Sequence, residues 1–251
     1  FMPKVHGQQI GSTLRVYLFA QKACAEKRKR MNTVLIVGGG AAGMLAGIAA
    51  AMKGGTVHIF EKNEKLGKKV YITGKGRCNV TNACDTEDLL RNVVTNGKFL
   101  YSSFYGFTNF QMMELLEKEG CPLKTERGNR VFPVSDKSSD VIKALTGKLL
   151  SLGVKIHYRT EVRKLLTEGG KVLGLVLEDG KTVRGDSVIV ACGGLSYPAT
   201  GSTGDGYELA KQAGHKITSL SPALVPFVVE EPVVKELQGL SLRNVEATVR
   251  R

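Results

Sequence analysis

The chain has 251 residues and a formal net charge of +13, with 42% hydrophobic and 24% charged side chains. That length supports one large domain or two modest ones with real cores, and no apolar run approaches the roughly 20 residues of a membrane-spanning helix, so a globular protein off the membrane is expected. Five scattered cysteines, Cys24, Cys78, Cys84, Cys121 and Cys192, never form a CxxC pair, which argues against a disulfide framework, a zinc knuckle or a dithiol centre and for a reducing cytoplasm.

Residues 1–30 hold seven basic side chains and one acidic, so six of the thirteen net charges sit in this short leader. Its apolar stretch, Val16 to Ala20, is shorter than a signal-peptide core, and the basic run Lys27 to Arg30 follows where small residues would mark a cleavage site. The leader is therefore expected to be a basic extension outside the fold, with Met31 as the natural start. Charge placed there argues against nucleic acid as the partner of the fold, although a basic arm touching nucleic acid is a rival use.

Thr33 to Val37 is a β-branched run that stops at three glycines, the pattern of a buried parallel strand. A helix is predicted from Ala41 to Ala51, built from small, strong helix formers suited to lying close against a sheet. Gly54 and Gly55 end it, and a second strand, Thr56 to Phe60, delivers Glu61 at its carboxyl end. This is a strand, helix, strand unit of the kind that binds dinucleotides.

Within the unit, Gly38, Gly40 and Gly43 form a GxGxxG fingerprint. The first permits the tight turn, the second lets a pyrophosphate approach the backbone, and the third lets helix and strand pack closely. Phosphates then meet the unpaired amides that open the helix, around Ala41 and Ala42, where the macrodipole also favours an anion. Glu61 is spaced to accept hydrogen bonds from ribose hydroxyls and disfavours a ribose carrying a 2'-phosphate. The competing phosphate loop, GxxxxGK[ST], is absent around Gly74, Lys75 and Gly76.

Dinucleotide binding leaves NAD and FAD open. Lys62, Gly67, Lys68 and Lys69, followed by Thr73 to Asn82 (TGKGRCNVTN), and much later Ala191 to Tyr207 (ACGGLSYPATGSTGDGY), resemble the two long motifs of the BaiN-like, or YhiN-type, NAD(P)/FAD-dependent oxidoreductases. The resemblance runs from Met31 to the end of the chain. It implies an α/β fold: a glutathione-reductase-like, Rossmann-type FAD-binding domain over residues 31–221, with residues 222–251 beginning a β-rich inserted domain. It also implies that FAD passes hydride from NAD(P)H to an unsaturated small molecule. Members continue beyond such an insertion and return to cover the flavin, so a chain ending at Arg251 is expected to hold FAD poorly or to be a fragment.

The same resemblance places Lys62, Thr73, Gly74, Ala191, Gly193, Gly194 and Gly204 at the cofactor. Arg77 and Lys69 are expected to neutralise pyrophosphate charge, and Asn79 to bond ribityl or ring oxygens. Cys78 is placed near the flavin, with burial as a small apolar residue as the competing role. Asp205 is expected either to bond a ribitol hydroxyl or to cap a helix.

Between the motifs, Asn109 to Glu119 and Lys137 to Leu152 read as helices, with Gly153 ending the second. Phe132 and Pro133 are candidate shapers of the pocket. Val154, Ile156 and Tyr158 alternate along a third strand expected to reach Glu161 and Val162, and the resemblance gives the Val162 backbone the role of holding adenine. A hairpin is predicted over Lys171 to Arg184 with a tight primed turn at Asp179 and Gly180, then a strand over Asp186 to Ala191 and a helix opening near Thr203 to Gly206. Prolines at 222 and 226 precede β-like runs at Phe227 to Glu230 and Val245 to Val249.

No metal cluster or nucleophilic triad is evident, and His6, His58, His157 and His215 are far apart in sequence. No catalytic residue is assigned. Two other readings use the same glycine turn: an FAD-dependent enzyme that modifies tRNA, which would give the positive charge a purpose, and a non-catalytic dinucleotide-binding fragment.

Overall fold

The fold was obtained as a computed structural model, which describes residues 32–222, 230–240, 245, 246 and 248. The chain divides into two units between Ile217 and Thr218. The first is organised around a parallel four-stranded sheet. Strand β1 (Thr33–Val37), helix α1 (Ala41–Met52) and strand β2 (Thr56–Phe60) follow in succession, and β1 runs parallel to β2 with Thr33 opposite Thr56 and Val37 opposite Phe60.

Both faces of β1 are covered, which is why its sequence is apolar throughout rather than alternating. Ile36 points to one side, where Met44 and Ile48 of α1 join Val57 and Ile59. Leu35 and Val37 point to the other, with Phe60, Val162, Leu175 and Leu209. Leu35, Ile36 and Ile59 are fully buried, each contributing about 1.5–3 kcal/mol by leaving water. Helix α1 lies close to the sheet through Gly47, where a Cβ would come within 3.0 Å of Ile59 and 2.9 Å of Leu149. It ends where Gly54 N donates to Ala51 O and Gly55 N to Ala50 O, satisfying carbonyls the helix leaves open.

A 3-10 segment (Val70–Gly76) and strand β3 (Thr81–Asn82) lead to short helices α2 (Thr86–Arg91) and α3 (Tyr101–Gly106), then α4 (Asn109–Lys118). Strands β4 (Leu123–Glu126) and β5 (Arg130–Pro133) complete an antiparallel sheet ordered β3–β5–β4. Helix α5 (Ser138–Ser151) packs Val141, Leu145 and Leu149 into the core shared with α1.

Strand β6 (Lys155–His157) pairs with β2, and β7 (Val162–Glu168), β8 (Lys171–Leu177) and β9 (Thr182–Arg184) form a third, antiparallel sheet. Strand β10 (Ser187–Val190) returns to β1, giving the order β10–β1–β2–β6, and helix α6 (Asp205–Gln212) follows.

Two local expectations are corrected. The third strand does not reach Val162: it stops at His157, Arg159 takes φ +50°, and Arg159 N and Thr160 N donate to Asn63 O and Glu61 O, leading the chain across the end of β2. Val162 instead begins β7. The primed turn sits at Gly169 and Gly170, both at positive φ (57° and 75°), between β7 and β8. At the next hairpin only Gly180 is left-handed (φ +83°); Gly180 N donates to Leu177 O and Leu177 N to Lys181 O, a type I turn with a one-residue bulge.

The basic extension over residues 1–30 and the β-like runs at Phe227–Val229, Ala247 and Val249 lie outside the described residues. Within the second unit the described residues include helix α7 (Val233–Glu236). Among the described residues no helix is long and apolar enough to cross a membrane, and no group of three metal-ligating side chains occurs.

Candidate cofactor-binding site

The carboxyl ends of β1, β2 and β10 open on a cavity of about 520 Å³. The three fingerprint glycines around it have separate causes. Gly38 takes φ +103° and a Cβ there would meet Ala191 O at 2.6 Å; a Cβ on Gly43 would meet Gly38 O at 1.9 Å. Gly40 differs: its φ is −75°, which any residue adopts, and a Cβ would have nothing within 4 Å. Its backbone, with Ala41 and Ala42, lines the cavity, and no side chain caps the helix that starts there. Amides at an uncapped helix N-terminus therefore face open space.

Glu61 is buried beside them. Its Oε2 accepts from Gly39 N at 2.7 Å, and its Oε1 accepts from Asn63 N at 2.8 Å and from Asn63 Nδ2 at 2.7 Å. Three protein donors on a group with about four acceptor sites leave roughly one direction free toward the cavity, which Glu61 also lines. The carboxylate thus both fixes the glycine turn and faces the cleft.

Lys62, Lys69, Thr73, Val162, Ala191, Gly193 and Asp205 line the same cavity. Lys62 Nζ donates to Asp205 Oδ2 at 2.5 Å and to Thr203 Oγ1 at 2.6 Å, while Thr203 Oγ1 donates to Asp205 Oδ1 at 2.8 Å. Burial works against the Asp205 charge, but these hydrogen bonds outweigh it and hold the carboxyl below its usual range. Asp205 is not a cap; Gly204, at φ +91°, occupies that position. Lys69 Nζ donates to Ser196 Oγ at 3.3 Å.

Seven expected cofactor residues are not among those lining the cavity. Gly43 lies behind the turn, where the Gly38 carbonyl fills its side-chain space, and Gly194 lies under Tyr207, whose Oη would be 3.2 Å from a Cβ. Gly204 shapes the start of α6. Arg77 is the largest correction: its guanidinium is held by Asp136 and Glu126 and lies 4.1 Å over the Phe132 ring, so its charge is engaged by the protein's own carboxylates. Phe132 correspondingly packs under arginine and does not line the cavity. Cys78 is buried in the core with Leu116 and Cys121, and burial pushes its thiol pKa up. The Asn79 amide, oriented with Nδ2 toward two carbonyls, donates to Val131 O at 3.2 Å and Thr81 O at 3.0 Å. Gly74 permits a left-handed bend against Asn79 N.

Other residues join the site without a sequence signal strong enough to find them. Asn63 reaches Thr200 O as well as Glu61, a contact across 137 residues. Cys192 lines the cavity with Thr160 and Ser202, and burial pushes its thiol up to about 11. His58 and His157, distant in sequence, share a hydrogen bond at 3.0 Å, and the His157 ring stacks 4.7 Å from that of Phe60, which lines the cavity. Burial lowers the pKa of both imidazoles.

A parallel sheet, an uncapped helix behind a glycine turn and an acid at the end of β2 define a Rossmann-type dinucleotide-binding domain. The chain belongs to the HI0933-like family, the BaiN-like group its motifs resemble: residues 32–248 match the HI0933-like protein Rossmann domain. It is 36% identical over 222 residues to the 3-dehydro-bile acid delta(4,6)-reductase of Clostridium scindens, covering 84% of this chain and 51% of that protein. It is 30% identical over 208 residues to the ribosomal RNA dihydrouridine synthase of Escherichia coli, covering 82% and 50%. The chain thus spans about half the length of these relatives.

Among solved structures, the open conformation of a flavocytochrome c3 fumarate reductase matches with TM-score 0.57 and 24% identity, over 78% of this chain and 43% of that one. The 3-ketosteroid-delta4-(5alpha)-dehydrogenase of Rhodococcus jostii RHA1 matches with TM-score 0.52 and 17% identity, over 76% and 56%. At these identities the likeness is one of fold, the Rossmann-type fold of FAD-binding domains.

Proposed function

We propose that this chain carries the FAD-binding part of an oxidoreductase that uses NAD(P)H to reduce an unsaturated small molecule. The observation that carries the reading is Gly40. Neither its backbone angles nor its protein neighbours require glycine, so the missing side chain leaves room for a group outside the protein. The uncapped amides beside it make that group an anion, and the diphosphate of FAD fits. Glu61 would accept from the ribose of the ADP half, and the Val162 backbone would face adenine. Ala191, Gly193, Lys69, Thr73 and Asp205 would border the ribityl and ring half.

Bound FAD would supply hydride transfer between nicotinamide and substrate, and the protein would bind, orient and shield it. The reductase and dihydrouridine synthase relatives support the direction of chemistry, since each name denotes adding hydrogens to an unsaturated substrate. Titration of the chain with FAD should give a saturable yellow complex. Gly40→Asp should abolish it by blocking approach and repelling phosphate while leaving thermal unfolding unchanged. Retained FAD affinity in that variant would place the diphosphate elsewhere.

A second reading keeps the same cofactor and makes the unsaturated substrate a base in RNA. It is favoured by the ribosomal RNA dihydrouridine synthase relatives and by the net charge of +7 that residues 31–251 carry, 29 basic against 22 acidic side chains. RNA binding that falls steeply with salt and survives deletion of residues 1–30 would select it; binding lost with the leader would return the small molecule.

A further inference from the structure

We infer that Arg77 is a positioning residue, bracing a left-handed bend so that Lys69 and Thr73 are presented to the flavin half of FAD. The inference rests on the cofactor reading above. From Gly74 to Cys78 the backbone is unusual: Gly74, Lys75, Gly76 and Cys78 take φ of 57°, 58°, 86° and 60°. Two of these carry a Cβ, for which the left-handed region is unfavourable. A bend of this kind persists only where its surroundings hold it.

The surroundings here converge on one guanidinium. Arg77 donates to Asp136 Oδ1 through Nε at 2.8 Å and through a terminal nitrogen at 2.6 Å, and its other terminal nitrogen reaches Glu126 Oε2 at 3.3 Å. Lys124 joins the same carboxylates, 2.7 Å from Asp136 and 3.7 Å from Glu126. The ring of Phe132 lies beneath, and its edge would be 3.4 Å from a Cβ on Gly74. One planar fork therefore ties the bend to β4, to β5 and to the turn before α5. A lysine ammonium, a point charge without that fork, cannot make the same set of bonds.

The other side of the bend faces the cavity through Thr73, with Lys69 one turn earlier. Glu61 follows β2, on one side of β1, whereas Lys69 is tied to Ser196 in the loop that follows β10, on the other. On the cofactor reading above that loop borders the ribityl and ring half, so the bend serves the half of the ligand that Glu61 does not hold.

Paired titrations of the chain with FAD and with ADP test this. Arg77→Lys should lower FAD affinity at least about tenfold, the size of one lost charge-assisted clamp, while ADP affinity stays within about twofold. The flavin fluorescence of the residual complex should also be less quenched than in wild type. Gly40→Asp should lose both ligands. Parallel losses of FAD and ADP in Arg77→Lys, or unchanged FAD affinity, overturn the positioning role. A wild-type chain that binds neither ligand overturns the cofactor reading and this inference with it. If Arg77→Lys does not fold, Glu126→Gln, which keeps the Asp136 and Phe132 contacts, should show the same selective loss of FAD at smaller size, and its absence counts against the role.

Discussion

Two of the glycine-bearing stretches beside the cavity, Gly38 to Gly43 and Thr73 to Asn82, work in opposite ways. In the first, the backbone faces the cleft and the neighbouring carboxylate of Glu61 is locked onto an amide of the turn. In the second, Thr73 reaches the cavity but the polar side chains beyond it face the protein, where Arg77 is held by two carboxylates and Asn79 by two carbonyls. A glycine requirement follows from local sterics and is readable in sequence. Whether an arginine serves a ligand or a neighbouring carboxylate depends on where distant residues fold.

The contrast is sharpest inside the first stretch. Gly43→Ala would place a Cβ 1.9 Å from Gly38 O, a backbone clash no rotamer relieves, and should cost about 3 kcal/mol in urea unfolding. Gly40→Ala meets no protein atom and should stay within about 0.5 kcal/mol of wild type while FAD affinity falls. Equal stability losses in the two variants would mean that Gly40 is there for packing and would remove the main argument for a ligand.

In the second stretch a glycine should matter for shape alone. Gly74 sits at φ +57°, and a Cβ would lie 2.9 Å from Asn79 N. Gly74→Ala should therefore cost about 1–2 kcal/mol, the usual cost of a left-handed L-residue, with ADP binding unchanged. An ADP affinity that falls with stability would show that the bend also supports the diphosphate end, breaking the division drawn between the two stretches.

These differences explain what the sequence made legible. Strands Thr33–Val37 and Thr56–Phe60 fall where their β-branched runs end at glycine or at Glu61, because local pattern and burial agree there. The helices at Thr86–Arg91 and Tyr101–Gly106 are six residues each, too short for a periodic signal. Alternation through Tyr158 carries the third strand too far on paper, whereas the chain is turned aside by hydrogen bonds to Asn63 and Glu61. Spacing and motif single out Gly40, Glu61 and Asp205, and all three line the cavity. Sequence alone points Arg77 at phosphate, because Glu126 and Asp136, 49 and 59 residues away, carry no local mark of their pairing with it.

The smallest expected difference between the two stretches is their response to acid. Hydrogen bonding from Arg77 holds the Glu126 carboxyl below its ordinary value, and Lys124 followed by Arg77 does the same for Asp136. A carboxyl whose folded pKa is depressed contributes stability that is present above its unfolded value and lost as pH falls through the folded one. The ordinary values are 4.5 and 3.8, so bracing of the bend should be intact at neutral pH and weaken below pH of about 4.5. Because these groups are exposed to solvent, screening keeps the effect modest and added salt should reproduce part of it. Hydrogen-exchange protection read at two amides isolates the change: Cys78 N, bonded to Thr73 O at 3.0 Å, and Met44 N, bonded to Gly40 O at 2.9 Å. Protection at Cys78 should fall on acidification before that at Met44. Loss at both amides together would mean that the ion pairs around Arg77 decorate the bend and that something else holds it.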